Sequence, residues 1–240
     1  MMSLREIKHN AAQLARDAQV SAVSFTAFYM LITLVLNLAD LLALRFLPKG
    51  GNFLHFFIYL LFPVLAAGFV MYCMRIYRRE RVEYTDLFDG FTFVGKVLGL
   101  YFLMAIFIAL WSMLFVIPGI IATYRYRFAV YNLYEDPSIS PFEALRRSKR
   151  QTTGHKMNLF VLDLSFFGWL LLANLPTNLF SWLATAEILV LNDFVHLFLC
   201  WGISAAASLC YLVRFHVSAY TYFNLARAAH TPAEPPAIEE

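Results

Sequence analysis

Apolar residues in this chain fall in long blocks rather than at alternating or helical intervals. Five runs, at about 20–44, 53–74, 97–117, 157–175 and 194–216, are nearly free of charge. Each is long enough to cross about 30 Å of hydrocarbon at about 1.5 Å of rise per residue. A sixth candidate, 119–136, is shorter and carries Arg125 and Arg127 near its middle.

Basic residues arbitrate the sixth run, because Lys and Arg collect on the cytoplasmic side. If 119–136 stays on one side, the two richest basic loops, around Arg75–Lys96 and Arg146–Lys156, face opposite sides of the membrane. If it crosses, nearly all basic residues lie together and both termini are cytoplasmic. The pattern therefore predicts an all-α polytopic bundle of six crossings arranged as three hairpins. Its external turns are expected at Leu47–Asn52, Ile117-Pro118-Gly119 and Leu175–Asn178, where proline halts an outgoing helix. Pro63 lies inside the second crossing and reads as a kink.

A short cytoplasmic amphipathic helix is expected before each hairpin, at 3–18, 85–95 and 141–153. The last has Ser140 as N-cap, Pro141 at the first helical position, Glu143 completing a capping box and Gly154 as a stop. Ala144, Leu145, Ser148 and Thr152 share one arc of its wheel, and Arg146, Arg147 and Arg150 the other. Units with two crossings each would repeat in parallel orientation. Residues 1–230 then form one membrane domain, followed by a disordered acidic tail at 231–240.

Composition agrees. The 240 residues are 60% hydrophobic and 15% charged, with mean hydropathy +0.62, against about half apolar and a quarter charged in soluble domains. The segment before the first block is too polar and too long to start a cleavable signal peptide, so the block is expected to remain as an anchor. Cys73, Cys200 and Cys210 lie within apolar runs and form neither a CxxC nor a paired set.

Several ordered motifs closely resemble the DUF975 family of bacterial integral membrane proteins. They are Tyr84–Phe91 (YTDLFDGF), Ile117–Ile121 (IPGII), Asp136–Leu145 (DPSISPFEAL), Ser148-Lys149, Gly154-His155-Lys156 and Leu162–Trp169 (LDLSFFGW). The resemblance covers most of 65–175 and the rest more loosely. It implies a bacterial cytoplasmic membrane location and brings no activity with it. A more distant likeness to the membrane domain attached to some glycerophosphodiester phosphodiesterases implies a lipid context, without their catalytic domain.

The chain carries no HExxH, GxSxG, P-loop or dinucleotide glycine pattern. Six scattered histidines offer no metal set, so neither cofactor nor metal is expected. Charges inside the apolar runs say more, since an ionisable group in hydrocarbon is costly unless paired or hydrated. In the six-crossing arrangement Arg127 and Asp163 come to similar depth. Tyr124, Arg127, Tyr131 and Tyr134 share a stripe at i, i+3, i+7 and i+10. With Asp163 they would line a polar pocket between the fourth and fifth crossings, or form an ion pair that only pins two helices. Arg146, Arg147, Lys149 and Arg150 would meet anionic lipid headgroups, or serve as an orientation signal alone. Gly95-x-x-x-Gly99 and Ser204-x-x-x-Ser208 permit close helix contacts, within one chain or in a homo-oligomer. Membrane lipids are the expected partners, and nucleic acid is not. The leading expectation is a non-catalytic envelope or lipid-associated scaffold that assembles with an unidentified membrane partner. The alternative is a small transporter or lipid-handling protein with its site at Arg127 and Asp163.

Overall fold

The computed structural model describes residues 3–47, 51–185 and 192–230, and every regular element among them is helical. Helix α1 (Leu4–Asp17) opens on a complete capping box. The Ser3 Oγ accepts from Glu6 N–H and the Glu6 carboxylate accepts from Ser3 N–H, at 3.3 and 2.7 Å. Helices α2 (Ala22–Phe46) and α3 (Gly51–Arg78) follow. A 3₁₀ helix, Tyr84–Phe93, leads into α4 (Val94–Leu114). Then come α5 (Val116–Tyr126), α6 (Ala129–Glu135), α7 (Pro141–Gln151), α8 (Lys156–Leu164), α9 (Phe167–Thr185) and α10 (Asp193–His230).

Four helical stretches are long and apolar enough to cross a membrane: α2, α3, the 3₁₀ helix with α4, and Phe194–Ala229 of α10. The pair α8–α9, bent by 58° at its junction, makes a fifth if Lys156–Leu175 is taken as one span. Their outward faces suit lipid. Met113, Phe115 and Val116, at the α4–α5 turn, are 84%, 73% and 75% exposed, which water would tolerate poorly over so broad a patch.

The structure corrects several boundaries. The run 119–136 is two short helices with a break at Arg127-Phe128, and so falls outside the count of long spans. At the second expected turn the chain reverses at Phe115, ahead of Pro118. Pro118 thus sits in the first turn of α5, where its missing N–H costs no helix bond. Gly119 follows so closely upon α4 that an added Cβ would lie 2.1 Å from the Ser112 hydroxyl. At the third expected turn, α9 runs through 175–178 and ends at Thr185. The crossing expected at 157–175 is instead divided at Ser165-Phe166. Residues 48–50 of the first turn and the tail 231–240 lie outside the described residues. Gly154, the expected stop after α7, has φ +82°, a left-handed conformation natural to glycine.

α10 organises the interior. Its 38 residues extend about 57 Å at the α-helical rise, nearly twice the hydrocarbon thickness. Its first half pairs with α2 through Trp201, whose indole N–H donates to Met30 O at 3.1 Å, and with α9 through Ser204 and the Ala173 carbonyl. Its second half is buried on nearly every turn, with Val217, Ala219, Tyr220, Phe223 and Ala226 at the centre of the core. The 3₁₀ helix lies flat on α3 because both backbones lack a side chain where they meet. A Cβ on Gly68 would be 1.9 Å from Leu87 O, and one on Gly90 would be 2.3 Å from Val64 O. Arg75 of α3 holds the same segment through Asp86 and Asp89, the latter at 2.6 Å.

This contact predicts a contrast among glycines. Gly68→Ala lifts the 3₁₀ helix off α3 and lowers the melting temperature in detergent by several degrees. Gly168→Ala, where nothing lies within 4 Å of the added methyl, leaves melting unchanged or slightly raised through helix propensity.

Candidate functional site

The break between α5 and α6 leaves backbone groups without helical partners, and α7 supplies them. The Ser148 hydroxyl donates to Arg125 O at 2.8 Å and accepts from Phe128 N–H at 3.1 Å. Thr152 adds a second donor to Arg125 O at 3.2 Å. One turn further on, Asn132 and Gln151 pair their amides in both directions, at 2.7 and 3.1 Å. The arc Ala144, Leu145, Ser148, Thr152 is therefore a docking face, buried against the broken helix. At the α8–α9 break the Ser165 carbonyl accepts from the Lys8 ammonium of α1 at 3.2 Å, and the same ammonium lies 4.5 Å over the Phe166 ring.

Arg127 stands at the first break and Asp163 one turn before the second. The two form an ion pair, each side chain 18% exposed. Tyr124 donates its hydroxyl to the same carboxylate oxygen at 3.1 Å. The Arg127 guanidinium rests 5.3 Å from the Phe215 ring of α10. The other oxygen of Asp163 is buried with no hydrogen-bond partner among the described residues. Tyr131 does not join this group. Its ring packs between Phe128, Tyr220 and Phe223, at 5.4–6.4 Å between centroids. Tyr134 packs edge-on against Phe93. The stripe is thus split: Tyr124 and Arg127 reach Asp163, while Tyr131 and Tyr134 belong to the aromatic core. Asn174 turns back on its own helix, donating to Leu170 O at 2.8 Å. None of these residues lines any of five clefts of about 210–400 Å³ found elsewhere.

A second charged knot escaped the sequence reading. Glu135, at the end of α6, binds Arg78 of α3 at 3.0 Å and Arg227 of α10, and accepts from the Tyr220 hydroxyl. Arg78 also donates to Tyr220 at 2.8 Å. Residues 57 and 92 positions from Glu135 meet there, and no local pattern announces such a contact. Asp40 was missed too, although a lone carboxylate in an apolar run is itself a signal. It pairs with His55 at 2.8 Å beside the largest of these five clefts, about 400 Å³ between α2 and α10, lined by Asn37, Asp40, His196, Trp201 and Ser204 among others. The His196 Nε2 is buried there without a hydrogen-bond partner among the described residues.

The basic face of α7 is partly neutralised. Glu143 pairs with Arg146 and Arg147 instead of closing the expected capping box, of which only the Ser140 half forms, with Glu143 N–H donating to Ser140 Oγ at 3.2 Å. Arg147 also reaches Asp136 at 3.4 Å. The Ser138 hydroxyl, first, and then its amide and Arg147 hold the Asp136 carboxyl below the usual carboxylate range. Arg150 stays well exposed, 4.0 Å from Glu143. Lys149 is exposed and forms no ion pair among the described residues. Among those residues no group of three or more His, Cys, Asp or Glu could hold a metal ion.

Residues 113–223 match the family model DUF975, described as a protein of unknown function. The resemblance carried by the motifs holds over that part of the chain, slightly less than half of it. The match takes in both helix breaks, α7, Glu135 and the Arg127–Asp163 pair, and leaves α1 to nearly all of α4 outside. No curated protein and no solved structure matches the chain.

Two substitutions test these contacts. Ser148→Ala strands the Phe128 N–H and costs about 1–3 kcal/mol in a detergent unfolding titration. Arg127→Ala strands the Asp163 carboxylate and costs about 3 kcal/mol or more, whereas the double variant Arg127→Ala/Asp163→Ala recovers part of that loss.

Proposed function

We propose that this protein is a non-catalytic component of a bacterial cytoplasmic membrane, acting as a lipid-associated scaffold for a membrane partner. One observation carries the reading: Arg127 and Asp163 by the helix breaks, and Glu135 at the end of α6, are each paired with an opposite charge inside the protein. Arg127, Asp163 and Tyr124 close on one another, as do Glu135, Arg78, Arg227 and Tyr220. Each knot joins elements far apart in the chain, as a rigid frame requires. In this reading the chain makes six passes as three hairpins, with α5–α6 the fourth pass, broken near its inner end, and both termini cytoplasmic. The antiparallel return of α5 upon α4 after a single residue supports it. So does the bond of Lys96, near the start of α4, to the carbonyls of Pro137 and Ser138 beyond α6. The exposed basic residues of α7, Lys149 and Arg150, then face the headgroup region together with Arg146 and Arg147.

A second reading, a small transporter or lipid-handling protein, draws on the α2–α10 cleft. Its volume and its set of Asn37, Asp40, His196 and Trp201 suit a polar or cationic small molecule.

Native mass spectrometry of the full chain in lipid discs separates the two. The scaffold reading expects Arg127→Ala to melt earlier yet carry the same bound species as the parent. Loss of a discrete non-lipid ligand in Arg127→Ala or Asp40→Asn, with the fold intact, would replace it with the transporter reading.

A further inference from the structure

Seven arginines of this protein pair with a carboxylate among the described residues, but two that converge on one cleft do not. The cleft, about 270 Å³, lies where α1 ends, α2 begins and α10 passes behind them. Arg16 enters it from the last turn of α1 and Arg214 from α10, and its lining contains no carboxylate. Neither guanidinium forms an ion pair or hydrogen bond among the described residues. By contrast Arg75, Arg78, Arg127, Arg147 and Arg227 are each bound to Asp or Glu.

Two further features favour a negative charge there. The cleft contains Ser21 and Ala22, the start of the 25-residue α2, whose N-terminus carries partial positive charge. Ser21 holds the N-cap position but makes no side-chain capping bond, so its hydroxyl does not cover the first-turn amides. The rest of the wall is apolar: Val23, Leu209 and Val213, with small residues between. Val23 is 55% exposed and continues into the outward face of α2, one of the long apolar spans. The cleft thus sets two exposed arginines beside an apolar wall, whose inner part is the buried Val213 and Ala15 and whose outer part is Val23. Its volume is several times the roughly 30 Å³ share of a water molecule, enough for a phosphodiester group.

We propose that this cleft binds the headgroup of an anionic phospholipid. Arg16, Arg214 and the α2 N-terminus hold the phosphate, and the acyl chains run along α2 and α10. A free inorganic phosphate would satisfy the guanidinium groups but leave the apolar wall and the exposed Val23 uncovered. The site rests on the reading of the chain as lipid-embedded, and it is separate from both the α7 face and the Arg127–Asp163 pair.

The test uses the full chain in discs of mixed phosphatidylglycerol and phosphatidylcholine, extracted gently and weighed by native mass spectrometry. The parent retains phosphatidylglycerol in preference to phosphatidylcholine. Arg16→Gln and Arg214→Gln each reduce that preference roughly fivefold, and together they abolish it, while Arg150→Gln leaves it unchanged. Melting in discs of phosphatidylcholine alone shows that the variants fold. Where the double variant does not, Arg214→Lys keeping the preference that Arg214→Gln loses carries the comparison. Unchanged preference in the folded glutamine variants would overturn the proposal. Complete displacement of the retained lipid by millimolar inorganic phosphate would overturn it too, by assigning the cleft to a soluble anion. Neither result depends on Arg127, so failure of the scaffold reading remains distinguishable.

Discussion

Backbone polar groups at broken helices in an apolar environment must find partners, and this requirement organises the structure. In hydrocarbon no water pairs with a freed N–H or C=O, and irregular backbone survives only where protein satisfies it. The chain breaks at Arg127-Phe128 and again at Ser165-Phe166, and an amphipathic helix answers each break. Ser148 and Thr152 of α7 bind Arg125 O, Ser148 binds Phe128 N–H, and Lys8 of α1 binds Ser165 O. The amphipathic helices are therefore components of the core. Their mainly apolar arcs face inward, and Ser148, Thr152 and Lys8, on or beside those arcs, meet the places where the membrane helices fail.

The charged knots follow from the same geometry. Each break turns the chain and brings a polar side chain to the centre: Arg127 at the first, Asp163 just ahead of the second. Their pairing removes two isolated charges from a poor solvent, with Tyr124 and the Phe215 ring covering the pair. Glu135 does the same where α6 ends, gathering Arg78, Arg227 and the Tyr220 hydroxyl. α10 borders both knots because it outruns the membrane. Its first half packs like a span against α2 and α9, and its second half is the post on which α1 and α3 meet α6. The two knots tie α3, α5, α6, α8 and α10 together, and the proposed scaffold role rests on that frame.

The division of charge has a functional consequence. Carboxylates absorb the cations near the breaks, and Glu143 absorbs part of the α7 cluster. Among the described residues, the cations that have no carboxylate partner include Lys149 of α7 and the two arginines in the cleft between α1, α2 and α10. The clusters most visible along the chain are thus not the ones most free in space.

Much of this was legible in the chain itself. Runs of twenty apolar residues have one physical solution in lipid, so helical spans followed from hydropathy alone. The Ser140-Pro141 start and the Gly154 stop of α7 came from local backbone chemistry, and the two-faced wheel of α7 pointed to an interface. Depth arithmetic brought Arg127 to Asp163 because helical rise is constant. The same arithmetic went wrong for Tyr131 and Tyr134. It assumed a continuous helix, whereas the chain breaks at Arg127-Phe128 and Tyr131 and Tyr134 beyond the break pack in the aromatic core. Proline misled at 118 and 176 for a related reason: its effect depends on its position in a helix, which spacing alone does not reveal. Glu135 with Arg78 and Arg227, Asp40 with His55, and Arg16 beside Arg214 were settled by tertiary structure alone. Such pairings depend on how helices distant in sequence cross, and no local periodicity encodes that.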